Sequence, residues 1–174
     1  MPQLKPKRFV AIPSISCYNE KKSDRSIIMA VEHNDLIITI RRNATKYTVT
    51  YSFFQDDIVL DSALIHMDST LQTIRLDIMG ESYSVLRDAG LGAAPGASYT
   101  IRDTKRKRIL KAVFSNAAGD LRCTCGLDTL ERRQTELFCN DELLCSLHMM
   151  SDHSIHAKFT QEKHVCLALL MFLL

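Results

Sequence analysis

The run Val165–Leu174, VCLALLMFLL, contains ten residues with no charge and no turn former. Cys166, Leu167, Leu169, Leu170, Phe172 and Leu173 wrap the whole circumference of a helix, and a helix that is apolar all round must lie in a protein core or a membrane. A spanning helix needs roughly 20 apolar residues. This run is too short to cross a bilayer, so no transmembrane span is expected and the helix needs a container made of protein. Thr160 reads as its N-cap and residues 161–164 as its first turn, placing the helix at about 161–174.

The container is written upstream as a repeated period of two. Thr45–Phe54 places Tyr47, Val49, Tyr51 and Phe53 on one face and Lys46, Thr48, Thr50 and Ser52 on the other, the pattern of a half-buried antiparallel strand. Similar stretches fall at 26–32, 36–42, 58–66, 73–78, 82–87, 99–102, 108–115, 121–126, 135–140, 143–150 and 153–160, divided by short polar or glycine-bearing turns. Leu127–Gln134 reads as a helical turn or a loop, and Asp88–Ser98 (DAGLGAAPGAS) as a loop. About eleven short strands at this spacing make an all-β fold. A meander of this length has an edge problem that closure removes, and a barrel so wide cannot be filled by its own inward side chains. The expectation is a closed antiparallel barrel of about 11–12 strands around the C-terminal hydrophobic helix.

Residues 1–25, with Pro2, Pro6, Pro13 and a charged stretch, read as an N-terminal arm, leaving 26–174 as the barrel domain. The apolar stretch Phe9–Ile12 is far shorter than an export-signal core. A cytoplasmic location with six reduced cysteines is therefore expected, possible attachment to membranes being peripheral only.

A long meander closed by a C-terminal apolar helix resembles the tubby C-terminal-like superfamily, which includes the phospholipid-scramblase and LURP-one-related families. The resemblance covers roughly residues 26–174. It rests on order and texture: Tyr83-Ser84-Val85-Leu86-Arg87, then Tyr99-Thr100-Ile101-Arg102-Asp103, then Ile109–Phe114, and Ile155–Phe159 running into His164–Leu174. It implies a twelve-stranded barrel around a central helix, and more about fold than about ligand.

The chemistry-bearing residues are sparse. Cys123 and Cys125, and Cys139 and Cys145 with His148, His153 and His156 nearby, invite a zinc reading. Zinc knuckles use C-x₂₋₄-C turns, whereas Cys123-Thr124-Cys125 lies in a strand on the face of Leu121, and Cys145 shares a face with Leu143, Leu147 and Met149. These read as core thiols, with no metal and no cofactor expected. Gly90–Gly96 lacks the strand-before, helix-after setting of a phosphate loop, and no Gly-x-Ser-x-Gly elbow occurs. An enzyme is not expected.

The basic cluster Lys105-Arg106-Lys107-Arg108, with Lys111 nearby, is the candidate binding site. Each basic residue near an anionic leaflet contributes about 1 kcal/mol, so anionic phospholipid or phosphoinositide is the expected partner, alongside an unidentified protein partner. A net charge of +2 does not mark a nucleic-acid binder, and no aromatic residues are interleaved with the cluster to stack bases. The expected function is a non-enzymatic binding or scaffold module. The alternative is a carrier barrel for a lipid or other hydrophobic ligand, which would need an open cavity and would leave the helix outside.

Overall fold

The computed structural model describes residues 35–66, 71–88, 96–115 and 119–174. The arm at 1–25, the strand expected at 26–32 and most of the loop expected at 88–98 lie outside the described residues. Among the described residues twelve strands precede one helix: β1 (Leu36–Ala44), β2 (Thr48–Gln55), β3 (Ile58–His66), β4 (Leu71–Ile78), β5 (Glu81–Asp88), β6 (Ser98–Asp103), β7 (Arg108–Phe114), β8 (Leu121–Cys125), β9 (Asp128–Arg133), β10 (Glu136–Cys139), β11 (Glu142–Met149), β12 (Ile155–Phe159) and α1 (Val165–Leu173).

All the pairings are antiparallel, in the order β3-β2-β1-β12-β11-β10-β9-β8-β7-β6-β5-β4. The first strand joins the last, with Leu36 opposite Phe159 and Ile40 opposite Ile155. The two ends of the order, β3 and β4, lie side by side, which nearly closes the barrel. No strand ladder joins them among the described residues; instead the Asp61 carboxylate accepts the Asp77 backbone N–H at 2.6 Å. A side chain here supplies one exposed bond where a strand ladder would otherwise run.

Tight turns suit this topology. Asp56-Asp57, Met79-Gly80 and Asn140-Asp141 each place both residues at positive φ, the primed geometry whose twist matches that of the flanking strands. The expected barrel is therefore present, and the differences from the sequence reading are local. Leu127–Gln134 is mostly strand: β9 pairs with β8 through Cys123↔Leu130 and with β10 through Cys139↔Leu130. Its alternation is masked because Leu130 is the one apolar inward residue, while Arg132, opposite buried Leu121, also faces in. In β11 the register slips beside Leu137/Phe138. That bulge buries both Leu144 and Cys145 and leaves Leu143 exposed, so Leu143 and Cys145 do not share a face as expected.

Inside, Phe53, Ile74, Leu76, Ile101, Leu121, Leu137 and Phe159 are among the fully buried wall residues, and Tyr99 meets Phe114 edge to face with centroids 5.8 Å apart. Val165 through Met171 are all buried, so the helix fills the barrel. Its start differs from expectation. Thr160 is not the cap: its hydroxyl donates to the Leu143 carbonyl at 2.6 Å. The cap position is His164 in left-handed conformation, φ 53°, without a side-chain cap of its own.

The wall supplies what the helix ends lack. The Cys166 N–H donates to Glu81 Oε2 at 3.1 Å. At the other end Arg132 Nη1 donates to the Met171 carbonyl at 2.7 Å, and Nη2 to the Gly119 carbonyl at 3.2 Å. A carboxylate at the N-terminus and a guanidinium at the C-terminus both complement the helix dipole. Burial holds the Arg132 guanidinium below its usual range, the mark of a charge drawn partly out of water.

Four outcomes are expected. Leu167→Ala or Leu170→Ala should each cost about 2–5 kcal/mol in urea unfolding, since a closed wall cannot collapse into the gap. The 1–164 fragment should show no cooperative thermal transition; a sharp transition near that of the full chain would contradict a load shared between wall and helix. Arg132→Leu should cost about 1–3 kcal/mol by stranding a buried carbonyl, whereas Arg133→Leu on the outer face should be nearly neutral. Burial pushes the Cys123, Cys145 and Cys166 thiols up to about 12, so these three should resist alkylation at neutral pH in the native state and react after denaturation.

Candidate functional site

Lys105, Arg106 and Lys107 lie in the turn between β6 and β7, and Arg108 opens β7. The structure divides these four residues by role. Arg108 Nη2 lies 3.3 Å from Asp103 Oδ2, with Asp103 only 5% exposed, and the Arg106 backbone N–H donates to Asp103 Oδ1 at 2.9 Å. This pair closes the turn. Its charge is neutralised within the fold, because a carboxylate so deeply buried requires a partner. Lys105 Nζ reaches Asp77 Oδ1 at 3.2 Å and the Gly80 carbonyl at 3.1 Å, tying the turn to the β4–β5 hairpin. Thr104 adds a bond from its hydroxyl to Ser82 Oγ at 2.7 Å. Arg106 and Lys107 are exposed and have no ion-pair partner among the described residues.

Lys111 is not part of the turn. It projects from the outer face of β7, exposed, while Leu110 and Ala112 on either side are buried. The register brings it beside residues that are far away in sequence. Arg75 on β4 is opposite Ser84, Ser84 is opposite Arg102 on β6, and Arg102 is opposite Ile109 on β7. The next row is Leu86, Thr100 and Lys111. Arg122 on β8 continues the face opposite Val113. Arg75, Arg102, Lys111 and Arg122 are all exposed, and none of the four has an ion-pair partner among the described residues.

Cross-strand partners point to the same side of a sheet, so these side chains form one basic outer wall over β4–β8, with Arg106 and Lys107 at its edge. Exposed Ile109, at 71%, and Leu86 lie among them. Two acidic side chains border this face, each tied to another cation: exposed Asp77, on the outer face of β4 with Arg75, is paired with Lys105, and Glu131 on β9, opposite Arg122, is paired with Arg133. Arg75, Arg102 and Arg122 are absent from the sequence-level site. The signal for each was present, an Arg at an outward position between buried neighbours, but only strand register shows that they converge.

The remaining candidates divide between core and surface. Cys123, Cys125 and Cys145 are buried. His148 is exposed, lies opposite His156 and has its Nε2 2.9 Å from Ser146 Oγ. Two surface depressions of about 190 and 210 Å³ occur beside β10, both smaller than the roughly 300–1,000 Å³ of organic-ligand pockets. Among the described residues no helix is long and apolar enough to cross a membrane. No protein-family model matches the chain, and no curated protein or solved structure matches it at a significant level.

Proposed function

We propose that this chain is a non-enzymatic binding module of tubby-like kind that docks peripherally, from the cytoplasm, on anionic phospholipid surfaces, phosphoinositides included, through the outer wall of β4–β8. The observation that carries the reading is the register row Arg75–Ser84–Arg102–Ile109, flanked by Lys111 and Arg122. Unpaired cations spread over a sheet face present many weak contacts to a planar array of phosphates. At about 1 kcal/mol each near an anionic leaflet, five or six such residues suffice for salt-sensitive association, and the exposed Ile109 can add apolar contact at the headgroup boundary. A carrier reading is less well supported, because buried Val165–Met171 take up the space a ligand would need.

The test is co-sedimentation with phosphatidylcholine vesicles, with and without phosphatidylserine or a phosphoinositide. Binding should require the anionic lipid and fall steeply as salt shortens the roughly 10 Å screening length at 0.1 M. Gln at Arg102, Lys111 and Arg122 together should weaken binding about 100-fold with little change in thermal stability. Lys158→Gln, on a strand away from this wall, should leave binding unchanged. Arg108→Gln should lower stability more than it lowers binding, since it uncouples Asp103. Equal binding by the triple variant and the parent would refute the proposal.

A further inference from the structure

Where α1 enters the barrel, three side chains that are distant in sequence converge. Asp128 opens β9, Cys139 ends β10 and His164 caps α1. A carboxylate oxygen, the thiol sulfur and an imidazole nitrogen lie within 4.8 Å of one another, all half-buried. We propose that Asp128, Cys139 and His164 bind one divalent transition-metal ion, with zinc the best match to their chemistry. The proposal is independent of the basic wall.

The donor set selects the ion class. A soft thiolate, an imidazole and one carboxylate suit a borderline ion such as Zn²⁺, whereas Mg²⁺ and Ca²⁺ prefer oxygen alone. Tetrahedral zinc ligands at bond lengths of about 2.0–2.3 Å sit roughly 3.3–3.7 Å apart, so the His164–Asp128 pair at 2.9 Å must open slightly to admit the ion, within a donor cluster that spans at most 4.8 Å. The thiol would enter as thiolate, its proton passing to solvent. Three protein donors leave a fourth position for water, and the depression of about 190 Å³ lined by Cys139, Glu142, Gln161 and Lys163 adjoins the sulfur.

The surroundings of the donors provide a second line of argument. His164 Nε2 faces Asp128 Oδ2 at 2.9 Å, while Nδ1 lies 4.0 Å from Glu81 Oε1. The imidazole thus has the orientation of a metal-bound histidine, one nitrogen toward the cluster and a carboxylate beyond the other, with the Glu81 contact longer than a hydrogen bond. Asn140 Nδ2 donates to Asp128 Oδ1 at 2.9 Å, which leaves Oδ2 as the oxygen aimed at the cluster. That oxygen already attracts a cation: Lys163 Nζ lies 2.6 Å from it, on a side chain half exposed and free to swing into solvent. The ammonium and a metal ion therefore compete for the same oxygen. The thiol, carboxylate and imidazole come from three elements joined only by the fold, so the sequence groups Cys139 with Cys145 and the histidines at 148–156 and gives no sign of Asp128 or His164.

The full chain is titrated with Co²⁺ alone, then with Zn²⁺. Cobalt should bind one per chain and give a thiolate-to-metal charge-transfer band in the near ultraviolet, which one equivalent of zinc abolishes. Cys139→Ser should remove the band and weaken zinc binding by more than the ~10–100-fold typical of losing an outer partner; Cys123→Ser should retain both. Lys163→Gln should tighten zinc binding by removing the competing ammonium. No charge-transfer band, or a band that survives Cys139→Ser, overturns the proposal. Should Cys139→Ser fail to fold, Lys163→Gln decides: tighter binding supports the site, and unchanged binding overturns it.

Discussion

A barrel of twelve strands encloses more space than its own inward side chains can fill, and apolar space cannot be left empty at acceptable cost. The helix α1 resolves this by placing seven consecutive buried residues, Val165–Met171, along the axis. The rest of the structure answers to that choice. A helix in an apolar lumen has orphan amides at one end and orphan carbonyls at the other, so the wall must carry polar groups at two heights and nowhere between. Glu81 and Arg132 stand at those two heights. Each is a charge in a place where a strand would otherwise present an apolar residue, and each is anchored by what the helix backbone offers it.

The same alternation that buries one face of each strand determines what the other face shows. On β4–β8 the outward positions hold Arg75, Arg102, Lys111 and Arg122, with their inward neighbours Ile74, Ile101, Leu110 and Leu121 in the core. The basic wall thus follows from which strand carries which outward residue, and its charges lie outside the core. The turn at 104–107 illustrates the two uses of a basic residue within a few ångströms. Arg108 is tied to Asp103 inside the fold, while Arg106 and Lys107 stand in solvent.

Much of the fold was legible in the chain because its two signals are strong and incompatible with alternatives. Period-two stretches such as Thr45–Phe54 do not fit a helix, and the run Val165–Leu174 fits neither an exposed helix nor a membrane span. β9 was not legible: between Asp128 and Arg133 only Leu130 is an apolar inward residue, and Arg132 faces inward for the sake of the helix end rather than the core. Thr160 misled in the same way, its hydroxyl being drawn to the β11 carbonyls once the chain must bend from β12 into the lumen. Of the basic site, the contiguous run 105–108 was visible and the dispersed arginines were not. Adjacency across strands depends on register, which hairpin lengths and bulges set and a single sequence does not display. The Asp128, Cys139 and His164 cluster lies further still from local pattern, since three elements must dock before its members are neighbours.

The order of elements along the chain has a consequence for how such a protein is made. Leu36 is paired with Phe159, and the element that fills the lumen follows all twelve strands. A ribosome adding about 5–20 residues per second therefore releases β1 on the order of ten seconds before it finishes α1. Throughout that interval Phe53, Leu76 and Ile101 belong to a trough with no occupant, and β1 has an open edge where β12 will later dock. Hairpins can form locally as they emerge, but cylinder and axis must be completed together, after translation of the last strand. For that interval a nascent chain of this design carries an open sheet edge and uncovered apolar faces, the two features that most favour aggregation during synthesis.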